Sequence, residues 1–191
     1  ESPFTSPVPL VTISATDNAG AEAGSDAITF RISRTGSTTA LLNVTYTIGG
    51  DATNGTDYTP SLTGSVDIPA GQSFADITIT PTDDSIDEAD ETVTLTLIDG
   101  AAYDLGASTS DTGTITDDDV VGILITPTSG LITTEAGGTA TFTVVLSSQP
   151  TSDVVINLSS SNTGEGTVAP TPLTFTSGDW DQAQTVTVTG V

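Results

Sequence analysis

The strongest constraint on the fold is a strict alternation of apolar and polar residues that recurs along the chain. In residues 28–33 and 93–97 every second side chain is apolar. Because successive side chains of a β-strand point to opposite faces, this alternation predicts strands with one buried face. Similar stretches, separated by Gly, Pro, Asn and Asp, occur at 10–15, 41–48, 62–68, 74–80 and 113–116. No stretch has helical periodicity, so we expect an all-β chain folded as antiparallel β-sandwiches.

The chain also contains an internal repeat. The tripeptide Glu-Ala-Gly occurs at 22–24 ahead of Phe30 and again at 135–137 ahead of Phe142. A second match aligns residues 68–79 with residues 175–188 in the same order. Repeated motifs in the same order predict tandem copies of one module.

The second copy lacks a counterpart of residues 83–119, which is roughly its last two strands. Either the polypeptide continues and supplies them, or a neighbouring chain, identical to this one, adds strands to the open edge. We therefore expect three parts, namely a linker or extended arm (1–9), a first sandwich (10–119) and a second, partial sandwich (120–191).

Charge narrows the classes of partner. The chain has 25 Asp and Glu residues against two Lys and Arg residues, which gives a formal net charge of −23. Nucleic acids and anionic membranes bind cationic surfaces, so neither is expected as a partner. No apolar run is long enough to cross a bilayer, and we expect no direct membrane insertion. The lack of Lys and the acidic, Thr-rich composition indicate a secreted or cell-surface bacterial protein.

The acids form two clusters, and each follows or precedes a predicted strand. One spans residues 83–91 and the other residues 117–119. In an antiparallel sandwich these two points fall at the same end of adjacent strands, where unneutralised carboxylates repel each other. Calcium takes six to eight oxygen ligands in flexible geometry, whereas zinc prefers the His and Cys that this chain lacks. Solvated loop charges are the alternative. The run from Asp83 has Thr94 at its twelfth position and is no EF-hand.

Several motifs resemble those of Calx-beta domains and occur in the same order. They are residues 22–24, 30–36, 54–58, 83–91 and 114–119. The resemblance implies an immunoglobulin-like sandwich that binds Ca²⁺. It implies as ligands the carbonyl of Ile86 and the side chains of Glu22, Asp57, Asp83, Asp84, Glu88, Glu91, Asp117, Asp118 and Asp119.

The resemblance has departures that bear on the metal. Ser85 stands where some family members have a third consecutive Asp, which leaves the number of ions open. Asp87 and Asp90 fall at positions not assigned to the metal. The second copy matches Glu22 with Glu135 but has no later acidic runs, so no complete calcium site is expected within 120–191.

These observations predict a function that is not enzymatic. We expect a calcium-binding structural or adhesive module of an extracellular or cell-surface protein or fibre, with calcium rigidifying the junction between modules. Expected partners are neighbouring modules of the same polypeptide or identical chains, and a cell-surface or glycan target. The alternatives are a calcium-responsive sensor or ligand-binding module, and a fibre subunit that exchanges strands.

Overall fold

The computed structural model describes residues 8–191, so most of the predicted N-terminal arm lies outside the described residues. The described chain is built of strands and turns, which confirms the all-β prediction. It divides into two compact units. The first comprises Glu1–Asp84 and Ala89–Asp118, and the second comprises Ser85–Glu88 and Asp119–Val191.

The first unit is a sandwich of two five-stranded sheets, ordered β5-β7-β3-β1-β9 and β2-β10-β8-β4-β6. Its strands are β1 (Leu10–Asp17), β2 (Ala19–Ala21), β3 (Ile28–Arg34), β4 (Leu42–Gly50), β5 (Tyr58–Thr59), β6 (Ser65–Ile68), β7 (Phe74–Pro81), β8 (Glu91–Leu97), β9 (Asp104–Leu105) and β10 (Ser110–Thr116). All seven predicted strands are present, although β6 begins three residues later than the alternation indicated.

The alternating residues of the first unit fill its core as the pattern requires. Along β3, Ile28, Phe30 and Ile32 are fully buried, and the residues between them are only half-buried. Burying such side chains contributes about 1.5–3 kcal/mol each. Most neighbouring strands are antiparallel, but the two short pairs β1–β9 and β2–β10 are parallel. This sandwich therefore departs from a purely antiparallel one at the edge strands.

The second unit has a four-stranded sheet, ordered β11-β12-β16-β14, and a separate pair, β13-β15. Its strands are β11 (Ile123–Thr126), β12 (Thr139–Leu146), β13 (Val154–Ile156), β14 (Gly166–Ala169), β15 (Leu173–Phe175) and β16 (Gln184–Gly190). A small core forms around Phe175 and Val186, and Trp180 packs against it. The second sandwich is thus incomplete, as predicted.

The division between the units differs from a simple cut after residue 119. Asp119 and the short segment Ser85–Glu88 group with the second unit. Within that unit the Gln149 N–H donates a hydrogen bond of 2.6 Å to the Ser85 carbonyl. This bond ties the segment to the residues with which it groups.

The two basic residues of the chain have different roles in the first unit. Arg34 is buried, and its guanidinium donates hydrogen bonds to backbone carbonyls on two loop segments. The accepting residues are Thr38, Ala40, Pro69 and Gln72. Arg31 lies on the surface, where it pairs with Asp76 and covers the ring of Phe74. The hydrogen bond from Arg31 holds the pKa of the Asp76 carboxyl below its usual range.

We predict that Arg34→Met lowers the free energy of unfolding of the first unit by about 2–4 kcal/mol. A buried charged donor is lost and several carbonyl acceptors are left without partners. Urea denaturation followed by tyrosine fluorescence measures this, because Tyr46, Tyr58 and Tyr103 all lie in the first unit. Arg31→Met is the matched control and should cost clearly less. Equal losses would contradict the structural role assigned to Arg34.

Candidate metal centre

Three carboxylates from three separate segments come together in the first unit. One carboxylate oxygen from each of Glu22, Asp83 and Asp118 lies within 4.8 Å of the other two. Glu22 is buried, while Asp83 and Asp118 are exposed. The sequence had nominated all three, and the structure places them in one group, called here the three-carboxylate group.

The position of Glu22 and Asp118 follows from the pairing of β2 with β10. These strands are parallel, with Ala21 opposite Thr116, so the segments that follow β2 and β10 leave the sheet at the same end. The Glu22 N–H continues the pairing by donating to the Thr116 carbonyl at 3.1 Å. The residues that follow each strand are therefore neighbours.

Asp83 reaches the same end of the sandwich from the other sheet. It follows β7, which ends at Pro81, and it precedes β8, whose first residue Glu91 lies opposite Ile115 of β10. β8 and β10 are antiparallel neighbours, so the segment that enters β8 and the segment that leaves β10 share one end. This is the arrangement of the two acidic clusters that the alternation predicted.

A tight turn after β2 orients Glu22. The Ser25 N–H donates to the Glu22 carbonyl at 2.9 Å, and the Asp26 N–H donates to the Ala21 carbonyl at 3.0 Å. Gly24 has a φ of +76°, a left-handed conformation that residues with a Cβ adopt at a cost. The Glu-Ala-Gly motif is thus explained by a turn that needs glycine at its third position.

Asp57 lies beside the segment that carries Asp83. Its carbonyl accepts a hydrogen bond of 2.9 Å from the Thr82 N–H, and its carboxylate accepts from the Thr53 N–H. The next residue, Tyr58, is fully buried and anchors this loop in the core. Burial raises the pKa of the Tyr58 hydroxyl, and the charges of Tyr46 and Asp57 add to the effect.

Asp117 is supported by an acid that was not expected to bind metal. Its N–H donates to Oδ1 of Asp90 at 3.4 Å. Its own Oδ1 is buried and has no hydrogen-bond partner among residues 8–191. Asp90 therefore holds the backbone beside the three-carboxylate group. The only sequence signal for this role was its place directly before β8.

The remaining predicted ligands are not members of the three-carboxylate group. Asp84 is the next residue after Asp83, and Glu91 opens β8. Ile86, Glu88 and Asp119 belong to the second compact unit. Their roles as ligands, like those of Asp57 and Asp117, stay predictions.

The donor set fits a hard cation that binds oxygen. The group offers only carboxylate oxygens, and the chain contains neither His nor Cys. Such donors suit Ca²⁺, and Ca²⁺ accepts the irregular geometry of loops more readily than Mg²⁺ does. Among residues 8–191 no comparable group of acids lies in the second unit.

A family comparison assigns both halves of the chain. The Calx-beta domain model matches residues 7–119 and again residues 116–189. The chain belongs to the Calx-beta domain family. Calx-beta domains bind Ca²⁺, so the prediction of calcium as the cofactor agrees with the family. The family comprises regulatory and binding domains rather than catalytic ones.

Solved structures with a similar fold include calcium-binding domains of Calx. "CBD12 from CALX1.2" is 20% identical, covers 94% of this chain and 75% of its own, and has a TM-score of 0.47. The apo form of the Calx CBD1 domain is 23% identical, covers 58% of this chain and 99% of its own, and has a TM-score of 0.46. These values are low, and the family assignment depends on the sequence match.

No curated protein matches this Calx-beta chain. Residues 8–191 contain no helix that is long and apolar enough to cross a membrane.

The repeated turn provides a matched test of the need for glycine at the third position of the motif. We predict that Gly24→Ala lowers the free energy of unfolding of the first unit by about 1–2 kcal/mol, because alanine is strained at a positive φ. A Cβ at Gly24 would meet no other atom within 4 Å, so the cost lies in the backbone. Tyrosine fluorescence during urea denaturation measures this loss.

Gly137→Ala is the control, since Gly137 has the same open surroundings and a φ of +81°. It should lower the stability reported by Trp180 in the second unit and leave the tyrosine transition in place. A change in the tyrosine transition alone with Gly137→Ala would show that the two turns are not independent.

Proposed function

We propose that this chain is a calcium-binding structural and adhesive module of an extracellular or cell-surface bacterial protein or fibre. The observation that carries the proposal is the three-carboxylate group, in which Glu22, Asp83 and Asp118 approach within 4.8 Å. Membership of the Calx-beta family supports calcium as the ion.

Electrostatics favours an ion at this position. Two carboxylates about 4–5 Å apart repel each other by about 1 kcal/mol even in the dielectric of water, and by more where burial lowers the dielectric. The chain has no Lys or His, and its two arginines contact Asp76 and loop carbonyls. A divalent cation supplies the positive charge that the composition of the chain does not.

Such an ion would act as a cross-link within the first unit. Glu22, Asp83 and Asp118 belong to segments that are remote in sequence, and each follows a different strand. An ion that binds only the folded state at about 100 times its dissociation constant adds roughly 2.7 kcal/mol of stability. Extracellular calcium modules commonly have dissociation constants of about 10⁻⁴–10⁻³ M, which suits a medium rich in calcium.

Calcium bound at residues 117–119 would also act on the junction between modules. Asp118 is the last residue of the first unit, and Asp119 is the first residue of the stretch that forms most of the second. If the residues of 117–119 bind calcium, the linking segment loses conformational freedom. The proposed role is therefore a stiffened spacer, with neighbouring modules of the same polypeptide or identical chains as partners.

The location of the protein is proposed from its composition, and its target is proposed from the adhesive role. A formal charge of −23 and the lack of Lys agree with a protein that works outside the cell in salt and calcium. A cell-surface or glycan target fits an adhesive role. No catalytic activity is proposed, since the family consists of binding and regulatory domains.

The double variant Asp83→Asn/Asp118→Asn tests the calcium site. We expect calcium to raise the melting temperature of the first unit in the wild-type chain, and we expect most of that rise to disappear in the variant. Two of the three clustered oxygens then belong to neutral amides, which are weaker ligands. Tyrosine fluorescence during heating, with and without chelator, measures the rise, and titration calorimetry measures uptake of calcium.

The matched control is Asp67→Asn/Asp104→Asn, which makes the same change in charge at two exposed acids of the first unit outside the group. It should keep the response to calcium. An unchanged response in the first double variant, or no calcium uptake by the wild-type chain, would refute the site.

Small-angle scattering distinguishes a stiffened spacer from a sensor. For the spacer, calcium should narrow the distribution of overall dimensions with little change in their mean, and removal of calcium by chelator should broaden it again. A large shift of the mean would favour the sensor alternative. The Asp83→Asn/Asp118→Asn variant should show the broad distribution in both buffers.

A further inference from the structure

The connection between β4 and β6 holds the start of the acidic segment 83–91. The Asp57 carbonyl accepts a hydrogen bond of 2.9 Å from the Thr82 N–H. Tyr58, the next residue, pairs with the end of β7 and is fully buried, so this part of the connection is anchored in the core. Because Thr82 directly precedes Asp83, the connection fixes the backbone beside a member of the three-carboxylate group.

The same connection also holds the end of the acidic segment. The N–H groups of Asp51 and Ala52 donate to the Thr92 carbonyl at 3.0 and 3.1 Å. The Thr92 hydroxyl donates in turn to Oδ2 of Asp51 at 3.0 Å. Thr92 follows Glu91 in β8. The residues on both sides of the acidic segment are therefore bound by one loop, residues 51–62, called here the bracing loop.

The bracing loop links the two sheets of the first unit. Thr82 follows β7 in one sheet, and Thr92 belongs to β8 in the other. The acidic segment runs between the same two strands. The loop and the segment thus span the same gap between the sheets, so the shape of the loop sets the distance between the backbone at Thr82 and the backbone at Thr92.

Asn54 fixes the shape of the bracing loop. Its Nδ2 donates a hydrogen bond to the Leu62 carbonyl at 2.9 Å, and its Oδ1 accepts one from the Leu62 N–H at 2.8 Å. A carboxamide can make this pair of bonds because it carries both a donor and an acceptor, whereas a carboxylate can only accept. Asn54 is exposed and is not part of the hydrophobic core, so its contribution is to the conformation of the loop.

We propose that Asn54 is a positioning residue for the calcium site of the first unit. Its carboxamide fixes the bracing loop, and the loop holds the backbone at both ends of the acidic segment. Of the motif at 54–58, the resemblance had assigned a role in metal binding to Asp57 alone. The bonds of the Asn54 carboxamide go to Leu62, so the residue acts through the loop and not as a ligand. This role rests on the proposed function.

The test compares calcium binding by the full chain and by its Asn54→Ala variant. Replacing a residue that orients metal ligands typically costs 10–100-fold in metal affinity, so we expect the dissociation constant for calcium to rise about tenfold or more. Titration calorimetry measures it at a temperature at which both proteins are folded. Tyrosine fluorescence in urea with chelator should show only a small loss of stability, because Asn54 is exposed.

Asn43→Ala is the matched control. The Asn43 side chain also makes an exposed hydrogen bond, to Asp67 at 2.7 Å, but it lies near the start of β4, away from the bracing loop. This variant should keep the dissociation constant of the wild-type chain. An equal weakening in both variants would contradict a specific role for Asn54.

Asn54→Asp separates loop geometry from charge. The variant keeps an acceptor for the Leu62 N–H, loses the donor to the Leu62 carbonyl and adds a negative charge. Charge alone would tighten the binding of a cation. We expect weaker binding, as in Asn54→Ala, because the loop is no longer held by both bonds. Tighter binding would contradict the proposal.

Hydrogen exchange gives a readout that does not depend on calcium. In buffer with chelator, Asn54→Ala should speed exchange of the Thr82 N–H, which bonds to the bracing loop, and leave the amides of β3 unchanged. Faster exchange throughout the first unit would indicate a loss of global stability and would contradict the positioning role, as would unchanged exchange at Thr82.

The calcium measurements distinguish the failure of this inference from the failure of the proposed function. If the wild-type chain takes up no calcium, the proposed function is wrong, and the positioning role is wrong with it. If the wild-type chain binds calcium and Asn54→Ala binds it equally well, the positioning role alone is overturned.

Discussion

The pairing of β8 with β10 is the interaction on which the rest of the first unit depends. It closes the second sheet over Val11 and Ile13, which are fully or almost fully buried as a result. It also fixes the end of the sandwich at which the acidic segments emerge, because Glu91 lies opposite Ile115. One ladder of backbone hydrogen bonds thus forms the core and assembles the site.

The same ladder has an electrostatic cost. Bringing Glu22, Asp83 and Asp118 within 4.8 Å works against folding in a chain of charge −23. Apolar burial along β3, β4 and β8 opposes this repulsion over a much larger area. The fold therefore brings carboxylates from three remote segments to one end of the sandwich, where a single ion can contact all three.

The fold followed from the sequence wherever strands were long enough to show their period. Alternation located the seven longer strands of the first unit, but β2, β5 and β9 have two or three residues and carry no period. The strand pattern placed both acidic clusters at one end of adjacent strands, but no local pattern encodes the crossing of residues 82–90 from β7 in one sheet to β8 in the other. Glu22 was found by resemblance alone. The role of Asp90 was missed because its contact is with a backbone N–H.

The repeat shows that the Glu-Ala-Gly motif does not make a metal site by itself. Both copies place a glycine at positive φ at the third position of the motif, Gly24 and Gly137, although the hydrogen bonds of the two turns differ. Yet Glu22 is 5% exposed and stands beside two other carboxylates, whereas Glu135 is exposed. The difference lies in β10, which pairs with β2 and brings Asp118 to Glu22, whereas among residues 8–191 no strand takes that place beside Glu135. A carboxylate group of this kind is therefore a property of the closed sandwich, and it forms only where the last strands are present.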